Sequence, residues 1–339
     1  MPKQIRARLT EAEYDVVKRF RGMAAEAEAA GIPPESVNHG WYKCKSWSLH
    51  FKQDQASALK QVFSELLSEV KQKAPKLPKP QAVKGELHLL VIDPADIHVG
   101  KLCSAFETGD NYNHIMAVQR VTDGVSGILN KAKGFSVDQI LLIIGNDALH
   151  VDTPRSTTTS GTFQDTSVMW YDAFRLAFKM YRNVGTQLAA IAPVRVQYNP
   201  SNHDYQTGFF LAQALEAWFS KAEGMQFDVS PAHRKYMRYH NNLISTTHGD
   251  GAKEQDLPLL MAHEAAEAWA ACKYKYVYTH HIHHKKSRDY MSVTVEALRS
   301  PSGTDSWHHR NGYQHSPKAV EGFIHHKEHG QIARLTNYF

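Results

Sequence analysis

Residues 86–100 read ELHLLVIDPADIHVG. The first eight form a short apolar run without helical spacing, which at this length reads as a buried strand. Asp93 and Pro94 stop the run, and Asp96 and His98 follow at once. Four later segments repeat the arrangement. QILLIIG (139–145) leads into Asn146-Asp147, and VRVQYN (194–199) into Pro200-Ser201-Asn202-His203-Asp204. LISTT (243–247) leads into His248-Gly249-Asp250, and YVYT (276–279) into His280-His281-Ile282-His283-His284. Between these runs lie helical stretches near 114–133, 165–191, 206–221 and 256–272. Alternating strand and helix predicts an α/β fold with a largely parallel central arrangement. Ligands of such folds bind in the crevice at the carboxyl ends of the strands. Five strand ends delivering oxygen and imidazole donors to one edge therefore predict a metal cluster. Donors of this kind without thiolate suit Mn²⁺, Fe or Zn²⁺ rather than a structural zinc knot.

Outward from this block the chain changes character. MSVTVEAL (291–298) predicts one more strand, and the tail to Phe339 is loop-rich with a few strands. Upstream, Thr10 and Glu13 form a capping box for a helix running to Ala30, closed by Gly31 and Pro33. A second helix is predicted over 54–72, with Leu59, Val62, Phe63, Leu66, Leu67 and Val70 on one face. Between the two helices, WYKCKSWSLHFK (41–52) interleaves aromatic and basic residues. KQKAPKLPKPQAVKG (71–85) is rich in Lys and Pro and reads as an extended connection. The predicted organisation is a helical, basic segment over 1–73, a linker over 74–85 and one domain over 86–339.

Of the 339 residues, 42% are hydrophobic and 22% charged, ordinary values for a globular protein in water. The apolar runs are too short to span a bilayer and no signal peptide is evident, so no membrane partner is expected. Three scattered cysteines fit reduced thiols in a cytoplasmic protein. Residues 1–85 carry fifteen Lys/Arg against nine Asp/Glu, so whatever attraction the chain has for polyanions resides mostly there. Histidine is the outlier: there are 21, and histidine is the commonest metal-binding side chain.

The order Asp-x-His, Gly-x-Asp, Asn-His-Asp, His-Gly, His-x-His resembles that of the calcineurin-like metallophosphoesterases. ADIHVG, SNHD, THGD and THHIHH are similar to that family's first, third, fourth and fifth motifs. The resemblance covers roughly 88–285 and is nearest to the SbcD-like DNA-repair exonucleases and their phage-borne relatives. It implies a four-layer α/β/β/α sandwich with metals at the strand ends. It also implies roles: Asp96, His98 and His283 hold one divalent ion, Asn202, His248 and His281 a second, and Asp147 bridges them. Mn²⁺ is the first candidate, with Fe, Zn²⁺ and Mg²⁺ as the others. By the same resemblance, His203 protonates the leaving oxygen or stabilises the transition state, Asp204 orients its ring, and a metal-bound water or hydroxide attacks phosphorus.

Three positions depart from the pattern. Asn146 follows Gly145 where the family has its aspartate, which leaves the bridge to Asp147 or Asp152. Ser201 and His280 stand where the family has glycine. A lone Asp-x-His or His-x-His carries little weight; five motifs in order carry much more. His308, His309, His315, His325, His326 and His329 fall in the loop-rich tail and are expected to be mostly exposed, His308 or His309 beside Trp307 being best placed to reach a substrate. The Ser/Thr-rich loop after Asp147 adjoins the site, and its Arg155 could contact a phosphate. The implied function is a two-metal phosphodiesterase or nuclease acting on DNA. The alternatives are a small-molecule phosphatase or cyclic-nucleotide phosphodiesterase, and a nucleic-acid-binding module with a decayed site. The oligomeric state is left open, a homodimer included.

Overall fold

The computed structural model describes residues 37–43, 48–53, 64, 67–68, 70–80 and 82–339. The helix predicted over 10–30, most of the one over 54–72 and the side chains of the aromatic-basic stretch lie outside the described residues. The chain divides into two compact units, Met1–Glu69 and Val70–Phe339. In the first, β1 (Val37–Lys43) and β2 (Ser48–Gln53) pair antiparallel, in the connection between the two predicted helices.

The second unit holds two sheets. The larger has the order β13-β12-β3-β4-β5-β6, built from β3 (His88–Asp93), β4 (Val137–Gly145), β5 (Val194–Asn199), β6 (Met225–Asp228), β12 (Ala319–His326) and β13 (Gly330–Tyr338). Its centre, β3 to β6, is parallel, and β12 runs antiparallel against β3. The smaller has the order β10-β11-β9-β8-β7, from β7 (Lys235–Tyr239), β8 (Asn242–Thr246), β9 (Tyr274–Thr279), β10 (Lys286–Tyr290) and β11 (Val293–Ala297).

The layering follows from the period of two in a strand. Leu89, Val91, Leu141, Ile143 and Phe323 pack against Met237, Tyr239, Ile244 and Tyr278 of the other sheet. Their neighbours Leu90, Ile92, Ile140, Leu142 and Ile144 face the other way; past the single turn α1 (Ala105–Thr108), they meet α2 (His114–Ala132), α3 (Trp170–Ala189) and α4 (Tyr205–Trp218). The outer face of the smaller sheet, Leu243, Val277, Val293 and Val295, is covered by Leu257 and Met261 of α5 (Leu257–Glu264). These are the four layers α/β/β/α. Strands buried on both faces explain why β3 and β4 read as continuous apolar runs.

The helix predicted over 256–272 is broken: α5 ends at Glu264 and α6 (Ala266–Ala271) begins after Ala265 leaves helical geometry at φ −125°. The tail carries two strands, β12 and β13, after a largely irregular stretch over 298–318, and His325 and His326 lie buried in β12 rather than exposed in a loop. Residues 74–80 run without regular structure, with Ala74 buried and Leu77 against the main core. Among the described residues, no helix is long and apolar enough to cross a membrane.

Candidate metal centre

The ends of β3, β4, β5, β8 and β9 meet at one edge, and backbone hydrogen bonds lace their loops together. Asp96 N donates to Asn146 O (2.8 Å), His98 N to Asp147 O (2.9 Å), Asn146 N to Asn199 O (3.0 Å) and His280 N to His248 O (2.8 Å). Two buried side-chain links join the sheets behind this edge. His280 contacts Asp93 Oδ2 through Nε2 (2.9 Å) and Thr247 O through Nδ1 (3.1 Å). Asn199 Nδ2 donates to Thr246 O (3.0 Å), and Thr246 Oγ1 donates to Asn199 Oδ1 (2.7 Å).

Six of the seven predicted donors converge in two adjoining groups, and the seventh, Asn202, borders the second. One is Asp96, His98 and His283; the other is Asp147, His248 and His281. In the first, His98 and His283 face each other Nε2 to Nε2 at 3.3 Å, and His283 Nε2 is 3.6 Å from Asp96 Oδ1. In the second, His248 Nε2 is 3.3 Å from Asp147 Oδ2 and 3.0 Å from Asn202 Oδ1. Asp147 Oδ2 also stands 3.9 Å from His98 Nε2, so one carboxylate borders both groups. Asp152 is engaged elsewhere. Its carboxylate receives Thr207 N (2.7 Å), Gln206 N (3.1 Å) and Thr159 Oγ1 (2.9 Å), which satisfies the amino end of α4.

The electrostatics are those of a cation cradle. Burial lifts the Asp96 carboxyl to about 7, despite nearby imidazoles. Burial also opposes ionisation of Asp147, but His248 and His203 outweigh it and hold that carboxyl far below the ordinary range. Burial depresses His98 and His283 well below the usual imidazole value, so both present neutral, lone-pair-bearing rings. His248 runs the other way, raised to about 9 against its burial by Asp147. His248 Nδ1 is buried without a hydrogen-bond partner among the described residues. Two carboxylates, four imidazoles and an amide, largely stripped of water, fit a pair of divalent ions of the Mn²⁺, Fe or Zn²⁺ kind.

His203 sits beside this set. Its N donates to Asp147 Oδ1 (3.0 Å), and its ring lies 4.7 Å from that of His98. The structure gives a different orienting group from the one the sequence suggested. His203 Nδ1 donates to the carbonyl of His150 (2.9 Å), not to Asp204. Asp204 is wholly buried and accepts instead from Ser201 Oγ (2.7 Å) and Leu149 N (2.8 Å). Ser201 Oγ in turn accepts from Asp147 N (2.7 Å), so Ser201 and Asp204 brace the loop that carries Asp147.

His150 escaped the sequence reading. It is buried, its Nδ1 is 3.3 Å from His98 Nδ1, and its ring stacks on His203 at 5.3 Å. The available signal was its place three residues after Asp147 in the same strand-end loop. Lys101 was also missed. It is buried against Asp305 Oδ2 at 2.9 Å; Asp305 Oδ1 meets His308 Nδ1 at 2.7 Å, and His308 stacks on His283 at 4.8 Å. His308, singled out beside Trp307, thus does border the site. Arg155 is exposed on the loop between β4 and α3, and its side chain has no hydrogen bond or ion pair among the described residues. The same loop reaches the site's rim, where Thr159 N donates to Asn202 O (3.2 Å).

No family model and no curated protein matches this sequence. Among solved structures, an archaeal phosphodiesterase is similar at 10% identity, with 74% of this chain and 99% of that one covered and a TM-score of 0.35. Vps29 from Chaetomium thermophilum is 11% identical over 75% of this chain and 97% of its own, with a TM-score of 0.31. A predicted phosphoesterase from Streptococcus pneumoniae is 12% identical over 76% and 98%, with a TM-score of 0.27. At such scores the likeness assigns neither activity nor substrate, and the side chains of the site must do so.

Proposed function

We propose that the protein is a two-metal-dependent phosphoester hydrolase that cleaves phosphodiesters of DNA. The observation that carries this is the position of Asp147, one ionised, buried carboxylate bordering both donor groups. Asp96, His98 and His283 would hold one divalent ion, Asn202, His248 and His281 the other, and Asp147 both. Such a pair supplies a nucleophile from water near neutral pH and neutralises charge developing at phosphorus. Mn²⁺ is the proposed ion.

The protein's own groups do the rest. Asn202 is neutral, so its side of the pair keeps more positive charge for a phosphate oxygen. With Nδ1–H held by the His150 carbonyl, His203 would deliver a proton to the leaving oxygen from Nε2 as the doubly protonated imidazolium, returning to the neutral ring. His150 and His98 fix each other's rings. DNA is the substrate class implied by the resemblance of the motifs to the DNA-repair exonucleases. Tyr205, Trp307 and Tyr313 are exposed and follow or border site residues, which suits stacking of unpaired bases.

A second reading has its own support. A cavity of about 210 Å³ beside His283, lined by Thr304, His308, Ser316 and Lys318, would suit a small polar phosphoester. One assay separates the two. Purified protein with Mn²⁺ is offered single-stranded and duplex DNA, cyclic nucleotides and an aryl phosphodiester. Degradation of DNA is expected, abolished by chelation and reduced about 10²–10⁴-fold in His203→Ala with bound metal retained. Hydrolysis of the small esters with every DNA form left intact would overturn the DNA reading in favour of the second.

A further inference from the structure

At the far end of β3 from the metal centre lies another group of donors: Glu86, His88 and His326. His88 opens β3, about 17 Å along the strand from Asp93. We propose that these three residues form a separate binding site for a single divalent ion of the Zn²⁺ class.

Strand register builds the site. His88 and His326 are directly opposed across the antiparallel β3–β12 pair. Opposed residues put their side chains on one face of a sheet, with Cβ atoms about 5 Å apart. Glu86 lies in the bend just before β3, two residues ahead of His88. The two imidazoles meet edge to face at 5.1 Å, and Phe135 closes against His88 at 5.4 Å. A backbone bond from Lys327 N to Leu87 O (3.1 Å) ties the turn after β12 to the start of β3.

Two buried nitrogens need a partner. His88 is 7% exposed and His326 4% exposed, yet His88 Nδ1 and His326 Nε2 have no hydrogen-bond partner among the described residues. Buried polar atoms are rarely left so, and each such atom requires an explanation. Glu86 Oε2 stands 3.5 Å from His326 Nε2, too far for a good hydrogen bond. It is close to the donor–donor edge, about 3.3 Å, of a tetrahedron with bonds of about 2.0–2.1 Å. The three donor atoms lie within 4.8 Å of one another, so small side-chain rotations complete the geometry. Two imidazoles and one carboxylate with a fourth position open to water are a borderline-soft set, which selects Zn²⁺, Co²⁺ or Ni²⁺ over Mg²⁺ or Ca²⁺.

One contact must change. Glu328 N donates to His326 Nδ1 at 3.1 Å, which puts the ring proton on Nε2. Coordination through Nε2 moves that proton to Nδ1. It gives up one hydrogen bond in an exposed turn and gains three coordination bonds. His329 stacks on His326 at 4.6 Å and 15°, and holds the ring plane through the exchange.

The test uses the full chain, stripped by chelator, loaded with Zn²⁺ and freed of excess by gel filtration before the metal is counted. The expected content is three ions per chain, falling to two in His326→Gln and in His88→Gln. Glu86 is exposed, so Glu86→Gln leaves the core intact and serves should the histidine variants fold poorly. It should bind the third ion at least about tenfold more weakly. Co²⁺ as a spectroscopic probe should lose one tetrahedral component in each variant, while hydrolytic activity is unchanged. An unchanged count and spectrum in Glu86→Gln together with either histidine variant would overturn the proposal and leave a histidine–carboxylate contact only.

Discussion

Removing divalent ions and raising the pH should strip the protein of stability that Asp147 and His248 hold between them. Both side chains are buried, with Oδ2 and Nε2 3.3 Å apart. At an effective dielectric of about 20, opposite unit charges at that spacing attract by about 5 kcal/mol. Burial depresses the imidazole, and Asp147 overcomes this to raise it from 6.5 to about 9. That net rise is worth about 3 kcal/mol, consistent with the attraction less desolvation. A raised imidazole binds its proton more tightly folded than unfolded. Its contribution is therefore complete below pH 6.5 and lost as pH rises through about 9. Asp96, lifted by burial to about 7, loses its own contribution over a lower window, from about 3.8 to 7. Denaturant melts in excess chelator should show the wild type losing about 3 kcal/mol between pH 6.5 and 9.5. Asp147→Asn keeps the shape and removes the charge, so it should start lower by up to that amount and stay flat across the window. Parallel curves for the two proteins would mean that the pair does not exist in solution, and the bridging role of Asp147 would fall with it.

Three further substitutions probe the frame. Gly145 has φ +83°, and a Cβ there would lie 2.2 Å from Asn199 O and 2.8 Å from the Tyr198 ring; Gly145→Ala should cost at least about 2 kcal/mol in a denaturant melt, and an unchanged midpoint would contradict the placement of the β4 turn. Burial, and then Asp147, lift Asp204 from 3.8 to about 7, so its contribution is complete below pH 3.8 and lost on rising through 7. Asp204→Asn should therefore gain on the wild type by up to about 4 kcal/mol between pH 4 and 8, and a constant difference would refute the buried charge. Asp152→Ala uncaps α4 and should cost about 1–2 kcal/mol with metal content unchanged, whereas loss of an ion would return Asp152 to the bridge.

What the sequence revealed and what it hid divide along physical lines. β3 and β4 were legible because strands buried on both faces read as near-continuous apolar runs, and β5, β8 and β9 as short stretches rich in β-branched, aliphatic and aromatic residues. β10 was not, because it is exposed along nearly its whole length and its sequence KSRDY has no apolar signal. β12 and β13 were obscured by their histidines, arginine and asparagine. Glu321 shows why such residues can be buried in β12: its carboxylate receives Arg299 and Arg334 at 2.8 and 2.6 Å, a pairing between residues far apart in sequence. The seven donors were legible because each stands just beyond a strand. The orienting contacts were not. Nothing in the order of residues says that His203 turns to the His150 carbonyl, or that Lys101 lies buried behind His283's neighbour.

The three departures from the motifs that the sequence resembles acquire a physical meaning once the turns are seen. Ser201 and His280, where glycine was expected, do not adopt positive φ, so the freedom of glycine is not needed there. In its place each residue supplies a buried link, Ser201 between Asp147 and Asp204, His280 between Asp93 and Thr247. The left-handed backbone falls on the donors themselves: Asp96 (50°), His98 (51°), Asp147 (58°), His281 (72°) and His283 (57°), together with Asn146 (51°). Left-handed geometry costs a non-glycine residue about 1–2 kcal/mol, least for Asn, Asp and His, the types found here. Asn146 adds a buried amide with neither polar atom partnered among the described residues. Such strain persists only where surrounding structure over-determines it, and here hydrogen bonds between the loops and the buried links between the sheets do so. The chain thus reverses within two or three residues at each strand end while keeping its donors aimed at one place. A looser loop would relieve the backbone and let the donors scatter. The concentration of strain at these residues, and not at the glycine-replacing ones, is what a site selected for ligand geometry rather than for stability should look like.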